Sequence, residues 1–449
     1  MKRYEAYKSC NIPWIKQIPD HWISQRGKNL YKKEQRAVKD TDEVVTCFRD
    51  GRVTLRKNRR TTGFTEALNE FGYQGIRKGD LVIHVMDAFA GAIGVSDSDG
   101  KGTPVYNVCT PKGDNNNYYY AYALREMARA GFIQSLYRGI RERSSDFRFD
   151  VFARQYLPIP PRDEQDQIVR YLDWQVSKIN RLIAAKRKQI QLLKERQKTR
   201  IAHIVQCGLD DNAVTRDSGI EYIGIVPSHW LVLQNRRLFH SMKRIFQGTP
   251  TVLSLSQKDG LIPYSEMSER SLHTSSYENW QLVHENDLVL NRFKAHLGVF
   301  FASKYEGIVT FHYGVYEPRK PLVAKYYEAL YHTSSYCRVY AGQSRGMTVG
   351  LQNLSDTNFY STYTVYPPYE EQVEIVSEIS RIEKQHSQII ASIVSQIEML
   401  QDLRTRLISD VVTGQIDVRG IEIPEYSACD ENASIDQETE EDLYEQGDE

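Results

Sequence analysis

The chain has 449 residues, 41% hydrophobic and 26% charged, an ordinary composition for a globular protein. Its best apolar run, Leu81 to Val95, is interrupted by His84 and Asp87, and Met1-Lys2-Arg3-Tyr4-Glu5 has no apolar signal core, so a bilayer span and a secretion signal are both excluded. Net charge is formally zero, yet residues 425–449 hold eleven Asp or Glu and no Lys or Arg, leaving 58 basic against 47 acidic side chains in the body, as a phosphate-backbone partner would require.

In chain order, residues 1–161 read as a mixed α/β domain. It opens with Pro19-Asp20-His21-Trp22 and has β-type runs at Glu43–Phe48, Asp80–Val85 and Pro104–Cys109. A tyrosine-rich helical stretch, Tyr118 to Tyr137, follows. Pro160-Pro161-Arg162-Asp163-Glu164-Gln165 then starts a long helix over 162–207, free of Pro and Gly from Asp163 to Val205. Its apolar residues step by four and three: Leu172, Val176, Ile179, Ile183, then Ile190, Leu193 and Ile204. Lys186, Gln197 and Arg200 fall on the same stripe, which loosens the end near residue 200. Gly208 is a C-terminal stop.

After a linker at 208–221, residues 222–367 repeat the pattern, with β-type runs at Thr251–Leu255, Asp287–Leu290, Val299–Phe301 and Ile308–Phe311 and a helical stretch from Lys325 to Tyr340. A second long helix is predicted over 368–413, with Ile375, Ile379, Ile382, Ile389, Ile393, Leu400, Leu403 and Leu407 on its stripe. Residues 414–449 form an acidic tail, disordered on composition. Two readings of that tail stay open: a solubilising extension, or a polyanion that occupies the basic face when a nucleic acid is absent.

The two halves echo one another. Pro19-Asp20-His21-Trp22 returns as Pro227-Ser228-His229-Trp230 at a shift of 208, and Asp80-Leu81-Val82 returns as Asp287-Leu288-Val289 at 207. Pro160-Pro161-Arg162-Asp163-Glu164-Gln165 returns as Pro367-Pro368-Tyr369-Glu370-Glu371-Gln372 at 207, and Thr199-Arg200 with Gly208 as Thr405-Arg406 with Gly414 at 206. The fold class is therefore mixed α/β, a tandem duplication of a globular domain followed by a long helix. Gly51-Arg-Val-Thr-Leu-Arg56-Lys57-Asn58-Arg59-Arg60 has no recognisable partner in the second half. One scaffold carrying two different recognition surfaces is the pattern expected of that difference. Each helix would be about 65 Å long, more than one domain can cover, so the two should pair as a coiled coil. Antiparallel pairing would set the domains at opposite ends of a rod.

These blocks resemble the specificity subunit of type I restriction-modification enzymes, from about Ile12 to Gly414. The most specific are Ile18-Pro19-Asp20-His21-Trp22, altered to Val226-Pro227-Ser228-His229-Trp230; Lys78-Gly79-Asp80-Leu81-Val82 with Gly91-Ala-Ile-Gly94; and the Pro-Pro-x-x-Glu-Gln helix starts. The resemblance implies a non-catalytic subunit whose two target-recognition domains each bind half of a bipartite, asymmetric double-stranded DNA sequence. The helices would pair antiparallel and set the spacing. Two modification subunits, binding S-adenosylmethionine and methylating adenine N6, and two ATP- and Mg-dependent restriction subunits would be the partners. No cofactor is expected on this chain, and no membrane. In the second half Glu285-Asn286-Asp287 replaces Lys78-Gly79-Asp80.

An alternative is a self-contained methyltransferase or nuclease with fused recognition domains. Against it, Tyr366-Pro367-Pro368-Tyr369 lacks the Asp or Asn of an amino-methyltransferase loop, and neither a Gly-rich cofactor loop nor a Gly-x-x-x-x-Gly-Lys-Ser/Thr loop occurs. Cys10, Cys47, Cys109, Cys207, Cys337 and Cys429 are scattered with no CxxC pair, and the eleven histidines have no metal-ligand spacing, which fits a cytoplasmic protein with reduced thiols. His21 and His229 beside tryptophans read as structural corners. Guanine is read by Arg or Lys and adenine by Asn or Gln. The nominated contacts are therefore Arg56, Lys57, Asn58, Arg59, Arg60, Arg141 and Arg143 in the first half, and Arg292, Lys294, Gln343 and Arg345 in the second.

Overall fold

The computed structural model describes residues 2–59, 71–136, 146–241, 244, 246, 250–256, 260–267, 277, 279–344 and 353–427. The strands of the first domain include β1 (Tyr31–Glu34), β2 (Val45–Cys47), β3 (Val53–Leu55), β4 (Leu81–His84), β5 (Ile93–Val95) and β6 (Tyr106–Pro111). An antiparallel sheet is ordered β1-β6-β4-β5, with Val108 opposite Val82, and β2 and β3 form a separate hairpin. Side chains alternate across β4 as a strand requires. Leu81 and Ile83 enter the main core with Trp22, Tyr119 and Leu124, whereas Val82 packs with Val45, Cys47 and Val53 of the hairpin. Both faces of the sheet are thus covered.

Helix α1 (Asn117–Arg129) starts at Asn116, whose side chain accepts from the amides of Tyr118 and Tyr119. The helix expected to run to Tyr137 breaks at Gly131, φ +74°, and only Phe132–Ser135 resumes it. Helix α2 (Arg162–Cys207) follows Pro160-Pro161, with Asp163 and Glu164 in its first turn where the helix dipole favours them.

The second domain repeats this element for element. Among its strands are β7 (Phe239–His240), β8 (Leu253–Ser256), β9 (Gly260–Pro263), β10 (Leu288–Asn291), β11 (Phe300–Ala302) and β12 (Tyr313–Pro318), and among its helices α3 (Ala324–Tyr331) and α4 (Tyr369–Val412). The sheet order is again β7-β12-β10-β11, and Val289 lies opposite Val315. Leu288 and Leu290 face the main core, and Val289 joins Leu253, Leu255 and Leu261 of the β8–β9 hairpin.

Two compact units result, and the division passes through both long helices: residues 1–188 with 394–449, and residues 189–393. In the first unit Leu172, Ile179 and Ile183 of α2 share a core with Leu407, Val411 and Val412 of α4, and Arg404 Nη1 donates to Asn180 Oδ1 at 2.8 Å. In the second, Ile204 and Val205 of α2 share a core with Ile375, Ile379 and Ile382 of α4. The start of one helix meets the end of the other in both, so the pairing is antiparallel. Lys186, polar on the stripe, reaches Gln396 Oε1 at 2.6 Å.

The stripe needs two corrections: Ile389 and Leu403 are 46% and 52% exposed. A strict heptad count drifts about 20° per repeat from a straight helix. The covered line on α4 passes instead through Ile393, Ile397, Leu400, Arg404 and Leu407. Ile393 is buried, and Val176, Ile190, Leu193 and Leu400 are half-buried.

The echoed motifs are one hydrogen-bonded clasp, built twice. Glu164, the acid of Pro-Pro-x-x-Glu-Gln, accepts from Trp22 Nε1 at 3.0 Å and from the Tyr4 hydroxyl, with His21 Nε2 at 2.7 Å. Glu371 likewise meets Trp230 Nε1 and His229 Nε2, both at 2.9 Å. Gln165 donates to the Pro160 carbonyl at 2.9 Å and accepts from the Asn116 amide at 2.9 Å, tying the start of α1 to that of α2. Gln372 does the same with Pro367 and the Val323 amide. Asp80 and Asp287 each hold a forked arginine, Arg36 and Arg244, and cap a turn through the Arg77 and His284 amides at 2.8 Å. Gly79 stands at φ +91° and Asn286 at φ +65°. Asn tolerates this left-handed conformation better than most residues, so the departure Glu285-Asn286-Asp287 preserves the turn.

Candidate nucleic-acid interface

The clasps commit several basic groups to the framework, so a reading surface must come from what the framework leaves outside. The β2–β3 hairpin runs directly into a 3-10 turn, Arg56–Asn58, and the β8–β9 hairpin runs into another, Tyr264–Glu266. The preceding residues, Leu55 and Pro263, share φ −54° and ψ 134°. Arg56–Asn58, within the segment that has no recognisable partner in the sequence, therefore has a structural counterpart in Tyr264–Glu266. The two hairpins enter their turns with the same backbone angles and the turns share a burial pattern, but almost no side chain agrees, which is why the match is invisible in the sequence. Arg-Lys-Asn and Tyr-Ser-Glu occupy one position on the duplicated scaffold.

On the first turn Lys57 and Asn58 are exposed. Lys57 Nζ lies 2.5 Å from Glu43 with 61% of its side chain exposed, a surface pair of little energetic weight that a phosphate can replace. Asn58 Nδ2 donates to Thr54 Oγ1 at 2.8 Å, and Arg56 Nε to Thr46 Oγ1 at 3.5 Å. Arg59 is held differently: its side chain is only 11% exposed, 2.7 Å from Asp50, with the guanidinium 4.5 Å over the Phe48 ring. Arg60, Arg141, Arg143 and Arg345 lie outside the described residues.

In the second unit Lys294 is exposed beyond β10. Arg292 is 20% exposed and ion-paired to Asp356 at 2.5 Å, and Gln343 Oε1 accepts from the Thr362 hydroxyl at 2.7 Å. Arg59, Arg292 and Gln343 thus serve the fold, whereas Lys57, Asn58 and Lys294 are presented outward. Sequence reasoning passed over the Tyr264-Ser265-Glu266 turn and a cavity of about 840 Å³ that Tyr277, Trp280, Phe311 and Arg292 help to line. Aromatic faces beside a guanidinium suit stacking of planar groups.

Burial pushes the phenols of Tyr326, Tyr327, Tyr331 and Tyr340 well above their ordinary range, as core hydroxyls. Tyr366 donates to the Pro321 carbonyl at 3.1 Å, and the Pro368 carbonyl accepts from the Gln372 amide, so Tyr-Pro-Pro-Tyr acts as a helix start. Among the described residues, no group of three or more His, Cys, Asp or Glu side chains is placed to hold a metal, and no helix is long and apolar enough to cross a membrane.

These features define a class: a duplicated α/β domain, each copy clasped to paired antiparallel helices, with differing polar turns at matched positions. No family model and no curated protein matches the sequence. The fold does match solved structures. One is a chain from work on complex assembly and conformational transition of the type I R-M system, at TM-score 0.57 and 15% identity, over 89% of this chain and 99% of that one. The HsdS subunit of Thermoanaerobacter tengcongensis matches over 89% and 98% at 14% identity, TM-score 0.48. The type I restriction-modification S subunit of M. genitalium matches over 91% and 99% at 12% identity, TM-score 0.33. The fold is that of the type I restriction-modification chain in the first of these structures.

Proposed function

We propose that this chain is a non-catalytic DNA-specificity subunit of a type I restriction-modification system, reading a bipartite, asymmetric double-stranded target. The observation that carries it is the matched pair of hairpin turns. A framework kept clasp by clasp presents Arg-Lys-Asn in one copy and Tyr-Ser-Glu in the other, as two half-sites of different sequence demand. The fold shared with a type I R-M chain over 89% of this one supports the reading, as does the basic body. Each domain reads one half-site, and the paired helices set the separation. Two modification subunits carrying S-adenosylmethionine methylate adenine N6, and two restriction subunits supply ATP- and Mg-dependent cleavage, all in the cytoplasm.

The test is single-molecule methylome sequencing of a methylation-free host that expresses this chain with its neighbouring modification subunit, against the modification subunit alone. A split, asymmetric adenine-methylated motif that needs this chain is the expected result. Motif-independent methylation from a soluble complex overturns the assignment. So does a motif that appears with this chain alone, which would make it an enzyme.

A further inference from the structure

The second unit holds a cavity of about 840 Å³, within the range of about 300–1,000 Å³ that small ligands occupy. Tyr277, Trp280 and Phe311 line it together with Arg292 and Asp356. Its rings are not sealed in a core: Phe311 is 56% exposed, Tyr277 is exposed and Trp280 is half-buried. The rings of Tyr277 and Trp280 meet edge-on at 5.1 Å, and that of Phe311 lies 4.0 Å from His312. The polar part of the wall is fixed in place. Arg292 Nη1 lies 2.5 Å from Asp356 Oδ1, and the Tyr316 hydroxyl donates to that same oxygen at 2.7 Å. Asp356 nevertheless stays half-buried rather than sealed.

The duplication supplies a second, independent observation: the scaffold folds with a different lining at the same positions. Gln74 and Gln281 donate to the carbonyls of Tyr106 and Tyr313 at 2.7 and 2.8 Å, which aligns the two units here at a shift of 207. The short helices Phe149–Arg154 and Asp356–Ser361 keep that shift, each burying one phenylalanine, Phe152 and Phe359. At this alignment Val85 and Phe149 stand where the second unit has Arg292 and Asp356. Pro104 stands for Phe311, and Tyr73 for Trp280. An ion pair withdrawn from water gains little stability over apolar residues of similar volume. What the pair adds in the second unit is a donor and an acceptor held beside aromatic faces. A side chain that reads a base edge in a groove needs no cavity, whereas a planar group taken out of its stack does.

We propose that this cavity takes a single nucleobase, stacked on an aromatic face and met at its edge by the Arg292 guanidinium as donor and the Asp356 carboxylate as acceptor. A base outside a duplex is held in this way, by stacking and by hydrogen bonds to its Watson–Crick edge. The inference rests on the DNA-reading assignment only for the source of the base, a duplex rather than a free nucleotide. Two duplexes of one sequence, fully paired or carrying one unpaired adenine, are titrated against the full-length chain, and dAMP is followed separately by saturation-transfer NMR. The unpaired adenine should tighten binding about tenfold, and an unpaired abasic site should not. Phe311→Ala, at an exposed position, and Trp280→Ala should each remove most of that gain, while Trp280→Phe, which keeps a ring, retains it. A gain that survives both alanine variants, or that the abasic site gives equally, overturns the proposal and leaves the DNA-reading assignment standing. If neither duplex binds, that assignment fails, and saturation transfer to dAMP that Phe311→Ala abolishes supports the cavity as a free-nucleotide site. No gain from the unpaired adenine together with no transfer to dAMP overturns the proposal.

Discussion

Gly414, two residues past the end of α4, lies against Trp22: a Cβ placed on it would stand 3.0 Å from the indole and 2.5 Å from Pro19 Cδ. Gly208, past the end of α2, takes the same position against Trp230, 3.3 Å away, and Glu371 Oε1 at 3.0 Å. Each helix therefore ends on the tryptophan of the other copy's domain. The backbone is left-handed at both, φ +74° and +85°.

Gly414→Ala should destabilise the first unit by about 2–3 kcal/mol, joining the left-handed cost to a clash with a rigid proline ring. Gly208→Ala should cost the second unit about 1–2 kcal/mol, because a carboxylate oxygen can move aside. Urea denaturation followed by tryptophan fluorescence checks the order. Equal and negligible effects would mean that the helix ends are not seated as described.

The clasp makes a second, asymmetric expectation. Glu164 is 4% exposed and serves Trp22, His21 and Tyr4, whereas the Glu371 side chain is 22% exposed and serves Trp230 and His229 among the described residues. Glu164→Ala leaves a buried indole N–H and a phenol unsatisfied and should cost about 2–4 kcal/mol. Glu371→Ala should cost about half as much, since water reaches the site. Glu164→Gln, which keeps an acceptor oxygen, should fall between. Melting temperatures of the three variants measure this, and a larger loss for Glu371→Ala contradicts it.

Those clasps explain what was legible in the sequence. Pro-x-His-Trp, Pro-Pro-x-x-Glu-Gln and the trailing glycines touch one another, so each limits the others and both copies kept them. The long helices were legible because 43 residues without Pro or Gly leave few other choices, and they run Arg162–Cys207 and Tyr369–Val412. The matched hairpins were not legible: their strands share backbone and burial, which Val53-Thr-Leu55 and Gly260-Leu-Ile-Pro263 satisfy with different side chains. Nor was a cavity of about 500 Å³ in the first unit, lined in part by Arg49, Arg125, Arg129 and Arg404, which come together from distant positions only through the folding of that unit.

His84 gives the first unit an acid sensitivity. Its ring is half-buried, and burial lowers its pKa below the ordinary value of 6.5, against the opposing pull of Asp87. The folded state therefore prefers the neutral ring, and the unfolded chain takes up the proton first as pH falls. Its contribution to stability is complete above about pH 6.5 and is lost as pH drops toward the lower folded value. Melting temperature against pH from 8 to 5 should therefore fall more steeply for the unaltered chain than for His84→Gln. Parallel curves would remove His84 from the account.

The last expectation concerns the turns themselves. If Arg56–Asn58 and Tyr264–Glu266 meet bases in equivalent ways, exchanging their chemistry must act on one half of the target at a time. Arg and Lys suit guanine acceptors, Asn suits adenine, and Glu accepts from the cytosine amino group, each good pairing discriminating by about 1–3 kcal/mol. The triple change Arg56→Tyr, Lys57→Ser and Asn58→Glu should therefore relax or alter one half-site by about tenfold or more per base read, leaving the other half and the spacing as they were. Glu266→Gln alone should shift preference at one position of the opposite half, since an amide both donates and accepts where the carboxylate only accepts. Methylome sequencing of each variant with the modification subunit reads both halves at once. A uniform fall in methylation across both half-sites would mean that these residues touch phosphates, which position the complex without reading it, and the search for base contacts would pass to Lys294 and the aromatic cavity beside Arg292.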